Sequence, residues 1–302
     1  MSVSLWDVLT VAVKALLYAA TLGSAGGVMF LCYSRALLGA KDEHAMLRHI
    51  EIGVMLAVLA SALRIMVSAG SLAGAASGMF DPSLVHLVWH SGEDGAVILR
   101  VAGLLLAVQA LGARGGAPGR GAPRLASGTA FAVIGACCAA LSFAWVGHAH
   151  ATRSWWVEGS MAVHLVAAAF WIGALLPLSQ LAKHGDPALL AAPAARFGSA
   201  AMAVVALLML AGLAVLCRLL GSAGALWSSA YGRTACVKLT LVAGLLGLAA
   251  YNKLRLTPRL IAGDRQAVAL LARSIRGEIV LAASILAATA ALTTLAGAPG
   301  LG

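Results

Sequence analysis

Phe143-Ala-Trp-Val-Gly-His148-Ala-His150 leads through Arg153, Trp155, Trp156 and Glu158 into Gly159-Ser-Met161-Ala-Val-His164 and an apolar run that reaches Pro177 and Leu178. With apolar sequence on both sides of a short polar and aromatic link, the stretch reads as two membrane-crossing helices joined by a turn. His148 and His150 then sit just outside the hydrocarbon and His164 about one helical turn inside it. Ionisable groups at such depth are costly to bury, which makes this turn the first functional-site hypothesis. The rest of the chain says which side of which membrane it faces.

The hydrophobic fraction is 61% and only 11% of residues are charged, far more apolar than a water-soluble core of this length needs. The chain therefore reads as an all-α, polytopic transmembrane helix bundle. The N-terminus carries Asp7 and Lys14 straight into a long apolar span, so no removable signal peptide is expected. A formal charge of +10 would point to nucleic acid in a soluble protein. Here the basic residues gather in alternate links and set topology instead, so no nucleic-acid partner is expected. Cys32, Cys137, Cys138, Cys217 and Cys236 show no CxxC spacing and imply no disulfide framework.

Apolar runs long enough to cross ~30 Å of hydrocarbon lie near 8–34, 50–74, 95–112, 125–147, 159–182, 197–219, 233–252 and 277–297, which predicts eight spans. Links one, three, five and seven contain Arg35, Lys41, Arg48, Arg114, Arg120, Arg124, Lys183, Arg196, Lys253, Arg255, Arg259, Arg265, Arg273 and Arg276, fourteen of the 21 basic residues. The positive-inside rule then puts both termini outside. The Gly-, Pro- and Arg-rich link 112–124 reads as a flexible basic hinge on the inner face. We place the seam there, dividing 1–124, with three spans and the hinge, from 125–302, with five spans, inside one integrated membrane domain. A segment over 264–276 reads as either an interfacial helix or a solvated loop, and Pro177, Pro193 and Pro258 as helix ends. Lys14 precedes Gly23 by the interval at which His164 precedes Gly173. That likeness fits a 4+4 parallel repeat, and chance similarity between alanine-rich helices explains it equally well.

On this topology the second link, 75–94, faces outward with Asp81, His86, His90, Glu93 and Asp94. His86 and His90 are four apart, so one helical turn places both on one face. The fourth link brings His148 and His150 to the same side, and His164 lies roughly 7–8 Å below the start of the fifth span. Imidazole is a common ligand of copper, zinc, nickel and iron, and a thioether such as Met161 tilts a site towards copper. The candidate metal ligands are thus His148, His164, His86, His90, His150 and Met161. A structural histidine bonded to a helix backbone is the other reading of His164, and an interfacial decoration beside the tryptophans is that of the loop histidines. Arg64, Arg100 and Lys238 read as snorkelling or as paired with Glu93, Asp94 or Glu158. No P-loop, nucleophile elbow or HExxH is visible, so neither ATP-driven pumping nor hydrolysis has visible machinery, and no enzyme is expected.

Gly147-His148-Ala, His164-Leu-Val-Ala-Ala-Ala-Phe-Trp-Ile-Gly-Ala-Leu-Leu-Pro-Leu, Tyr231-Gly-Arg, Lys238, Asn252-Lys-Leu-Arg-Leu-Thr-Pro-Arg-Leu260 and Ser274-Ile-Arg-Gly-Glu278 resemble the CopD family of bacterial copper resistance and homeostasis membrane proteins. The resemblance implies an inner-membrane protein that handles copper beside a periplasmic CopC-type copper-binding protein and moves copper towards the cytoplasm. It carries over to His148 and His164, whereas His86, His90 and His150 rest on the topology. The CopC-type donor is expected to be a separate chain. Two alternatives remain open: a membrane redox protein in which two histidines clasp haem b, and a non-transporting docking or sensing subunit for a periplasmic copper carrier.

Overall fold

Ser4 starts the first helix by a reciprocal cap: its hydroxyl accepts from the Asp7 amide at 3.1 Å, while the Asp7 carboxylate accepts from the Ser4 amide at 2.9 Å. From there a computed structural model describes residues 4–112, 122–144, 155–220 and 224–295. The helices are α1 (Leu5–Ser34), α2 (Ala40–Ala73), α3 (Pro82–Val88), α4 (Asp94–Gly112), α5 (Ala122–Leu141), α6 (Trp155–Ala182), α7 (Pro187–Leu220), α8 (Ala225–Ser228), α9 (Ala230–Tyr251), α10 (Thr257–Ile261) and α11 (Arg265–Leu295). No strand occurs among the described residues. Among the described residues seven helical stretches are long and apolar enough to cross a membrane: Leu5–Leu37, Ala40–Ala73, Pro82–Gly112, Trp155–Ala182, Pro187–Arg218, Tyr231–Ile261 and Arg265–Leu295. The remaining expected span, 125–147, corresponds to α5, whose described apolar part, Gly128–Leu141, is shorter.

Several sequence expectations are corrected. The segment 264–276 is helical from Arg265 on, as one of the two readings had it, but it is the unbroken first part of α11, where Ala267, Val268, Leu271 and Ile275 are buried. Apolar content locates the hydrocarbon rather than the end of the helix, and a helix runs on wherever its backbone stays paired. The second link is likewise mostly helical, with a 3₁₀ turn at Ala76–Phe80, then α3, then a π turn at Trp89–Glu93 that leads into α4. Gly92, at φ 100°, makes the bend that only glycine adopts readily. Pro177 and Pro193 lie inside α6 and α7. Of these three prolines only Pro258 sits at a helix start, that of α10.

Two facts orient the bundle. The Lys14 ammonium donates to the Thr293 carbonyl at 3.2 Å and to the Thr294 hydroxyl at 3.1 Å, so the start of α1 and the finish of α11 share one end, the terminal end. At the far end His184 lies 2.8 Å from Asp42 and Arg35 lies 2.7 Å from Glu43, tying the links that precede α2 and follow α6. Between the ends, α1 and α6 cross almost backbone to backbone. A Cβ on Gly173 would fall 2.1 Å from the Gly26 carbonyl carbon, and one on Gly26 would fall 1.6 Å from the Ala169 oxygen. Small residues at such crossings drive helix association in lipid, where apolar burial alone gives little. Phe197 packs edge-on to Phe30 and Trp171 beside this crossing. Met55, Leu59, Leu210 and Val280 point outward, as lipid-facing side chains do.

Candidate metal site at the terminal end

The Asp81 carboxylate builds a platform at the terminal end. It accepts from the Ser83 amide at 2.9 Å and caps α3, with Pro82 as the first helical residue. Bonds from the Ser83 hydroxyl and amide hold its carboxyl below the usual aspartate range. The capped turn presents His86 on α3 and His90 on the following π turn, with ring centroids 4.3 Å apart and planes inclined at 59°. Both imidazoles are exposed. The four-residue spacing therefore pairs them, as the sequence led us to expect.

His164 sits on α6, deeper in the bundle and against Gly212 of α7. A Cβ at Gly212 would lie 3.3 Å from His164 Cε1 and Nδ1, so the glycine makes room for the ring. The ring hydrogen-bonds to the Leu208 backbone, and Lys238 of α9 is close enough for its charge to act on it. Nδ1 is buried and has no hydrogen-bond partner among the described residues. Leaving a buried polar nitrogen unpaired costs about 1–3 kcal/mol, so a purely structural histidine would be expected to use it. Met161 packs against the cluster formed by Val157, Val215, Leu220, Tyr231 and Leu292. His148 and His150 lie outside the described residues. Among the described residues no three His, Cys, Asp or Glu side chains come together. The structure thus pairs His86 with His90 and places His164 separately, between α6 and α7.

Lys14, Arg64 and Arg100, charged residues within the spans, are satisfied by a carboxylate or by hydroxyl and carbonyl oxygens. Arg64 pairs with Glu93 at 3.0 Å and also donates to the Ser68 hydroxyl. Arg100, 3% exposed, has no carboxylate partner among the described residues; it donates to Ser142 at 3.1 Å and Ser61 at 3.3 Å and lies over the Phe143 ring. Sequence reasoning used Lys14 for the N-terminal segment and for its spacing, yet its depth alone marked it as needing partners. It quoted Glu278 only for the family resemblance, next to the expected span start at 277, whereas α11 continues on both sides of it and leaves it 3% exposed.

A bundle of long apolar helices with lipid-facing leucines and a few internally satisfied charges is a multi-pass membrane protein. Two family models match the chain: the copper resistance protein D-like N-terminal domain over residues 5–159 and copper resistance protein D over residues 191–292. The chain belongs to the CopD family and is a copper resistance protein. No curated protein and no solved structure matches it.

Proposed function

We propose that this protein accepts copper at its terminal end, facing the periplasm, and passes it across the inner membrane towards the cytoplasm. The observation that carries the reading is the buried Nδ1 of His164, without a hydrogen-bond partner among the described residues, a lone pair held between two helices where a borderline or soft metal ion can take it. The exposed His86 and His90 pair is suited to receiving copper first, from a separate CopC-type carrier. His148 and His150 precede α6 in sequence and complete the set, with Met161 one turn before His164.

Copper stoichiometry of the purified protein tests binding, and uptake into proteoliposomes tests transfer. Binding without uptake would leave a docking or sensing subunit, and a Soret band in the same sample would instead assign the histidines to haem. Copper affinity should weaken as pH falls towards 5, because a ligating imidazole must be neutral and its reference pKa is ~6.5. Affinity constant from pH 7.5 down to 5 would argue for ligation by sulfur alone.

The sidedness rests on the basic links and on the bonds from Lys14 to Thr293 and Thr294, which bring both ends of the described chain together and support an even number of crossings. Reporter fusions at the two termini should both signal from the periplasm. A cytoplasmic C-terminus would put the histidines on the wrong side and end this reading.

A further inference from the structure

Glu278 and Asn252 meet at the polar end of a second, unrelated chamber. The cavity, about 440 Å³, lies towards the far end between α6, α7, α9 and α11, with Trp171, Phe197, Leu246 and Ile275 among its walls. Trp171 is seven residues further along α6 than His164, about 10 Å along the axis. The chamber is therefore set well inward of the imidazole.

Its polar end is short of positive charge. The Asn252 amide donates to Glu278 Oε1 at 2.5 Å, and no cation pairs with that carboxylate among the described residues. Asn252 Oδ1 is itself buried with no partner among them. Asn252 also opens the π turn Asn252–Leu256, whose displaced carbonyl is taken by the Thr257 hydroxyl at 2.9 Å. Such π turns are frequent where a helix presents a functional group. Lys253, the one other ionisable group lining the cavity among the described residues, donates to Ser199 at 3.2 Å instead; the described parts of α6 and α7 contribute no ionisable group to its walls. Two oxygen acceptors face one space with no cation supplied to them. A buried carboxylate in that position is strongly disfavoured unless it is neutralised.

We propose that Glu278 and Asn252 form a site for a small cation held by oxygen, a proton or an alkali ion. Oxygen donors of this kind select hard cations, unlike the imidazoles of the terminal end, which suit copper. The site stands independently of the copper reading, because nothing in its chemistry requires copper to be carried.

The test uses the metal-free, full-length protein in detergent and infrared difference spectra recorded across a pH series. Wild type should show a protonated-carboxyl band that grows as pH falls, and Glu278→Gln should lose it. Sodium or potassium that suppresses the band identifies an alkali ion as the occupant, whereas indifference to both identifies the proton. Asn252→Leu retains the carboxyl but removes its amide partner, so the band should move in frequency. If wild-type and Glu278→Gln difference spectra superimpose at every pH, or if Asn252→Leu leaves the band where it was, the site is overturned. Copper stoichiometry measured separately would be unaffected by either outcome.

Discussion

Gly173→Ala is expected to remove most of the folded protein from the membrane. The added methyl would lie 2.1–2.4 Å from the Gly26 carbonyl carbon, the Gly27 nitrogen and the Gly26 Cα. All three are backbone atoms, which cannot step aside as the tip of a flexible side chain can. The α1–α6 crossing must therefore open, and with it the packing of Phe30, Trp171 and Phe197 beside it. Overpacking of a well-filled interior costs about 1–3 kcal/mol, and a backbone clash belongs at the upper end of that range. Gly247→Ala is the matched control, since nothing lies within 4 Å of a Cβ placed there. It should be neutral or stabilising by up to about 1 kcal/mol through helix propensity alone. Monodispersity and the thermal midpoint of the two variants decide the matter. If Gly173→Ala melts with wild type, the two helices do not cross at this glycine.

His164→Ala should separate copper handling from folding. On the proposed reading the substitution removes a copper ligand, namely a buried nitrogen that has no partner among the described residues. Copper stoichiometry should therefore fall, while the thermal midpoint drops by no more than loss of the bond to the Leu208 backbone accounts for. A merely structural imidazole would lose the same bond, worth about 1 kcal/mol, with copper retained. His184→Ala serves as the far-end comparison. It breaks only the partly exposed contact with Asp42, an interaction of a kind worth about 0–1 kcal/mol, and should keep wild-type copper. Should both variants keep wild-type copper while only His164→Ala is destabilised, His164 is no ligand.

What could be read from the sequence follows from which forces are local. The membrane class and the main spans were legible because a run of ~20 apolar residues matches the thickness of a bilayer and exceeds what a soluble core helix needs. The His86–His90 pair was legible because a four-residue interval is a fixed distance on any helix. Helix limits were not: α2 begins at Ala40, through Asp42, Glu43 and His44, and α11 begins at Arg265, because polar residues at a membrane surface do not stop a helix. That error concealed Glu278, which seemed to stand at the edge of a span and lies well within one. The spacing argument matched Gly173 with Gly23, whereas the structure brings Gly173 against Gly26 and leaves Gly23 open. Where two helices cross depends on their tilt, which is set by all their neighbours and by no interval along one chain.

Lys14 enters the bilayer with α1, the earliest of the described helices, but its carbonyl and hydroxyl acceptors are 279 and 280 residues downstream. Throughout translation its ammonium must be kept at the headgroups or hydrated, and α1 can settle to its final depth only when α11 arrives. The last turns of α11 thus complete α1: a chain that stops short of Thr293 leaves the Lys14 ammonium without these acceptors, a cation that the hydrocarbon rejects.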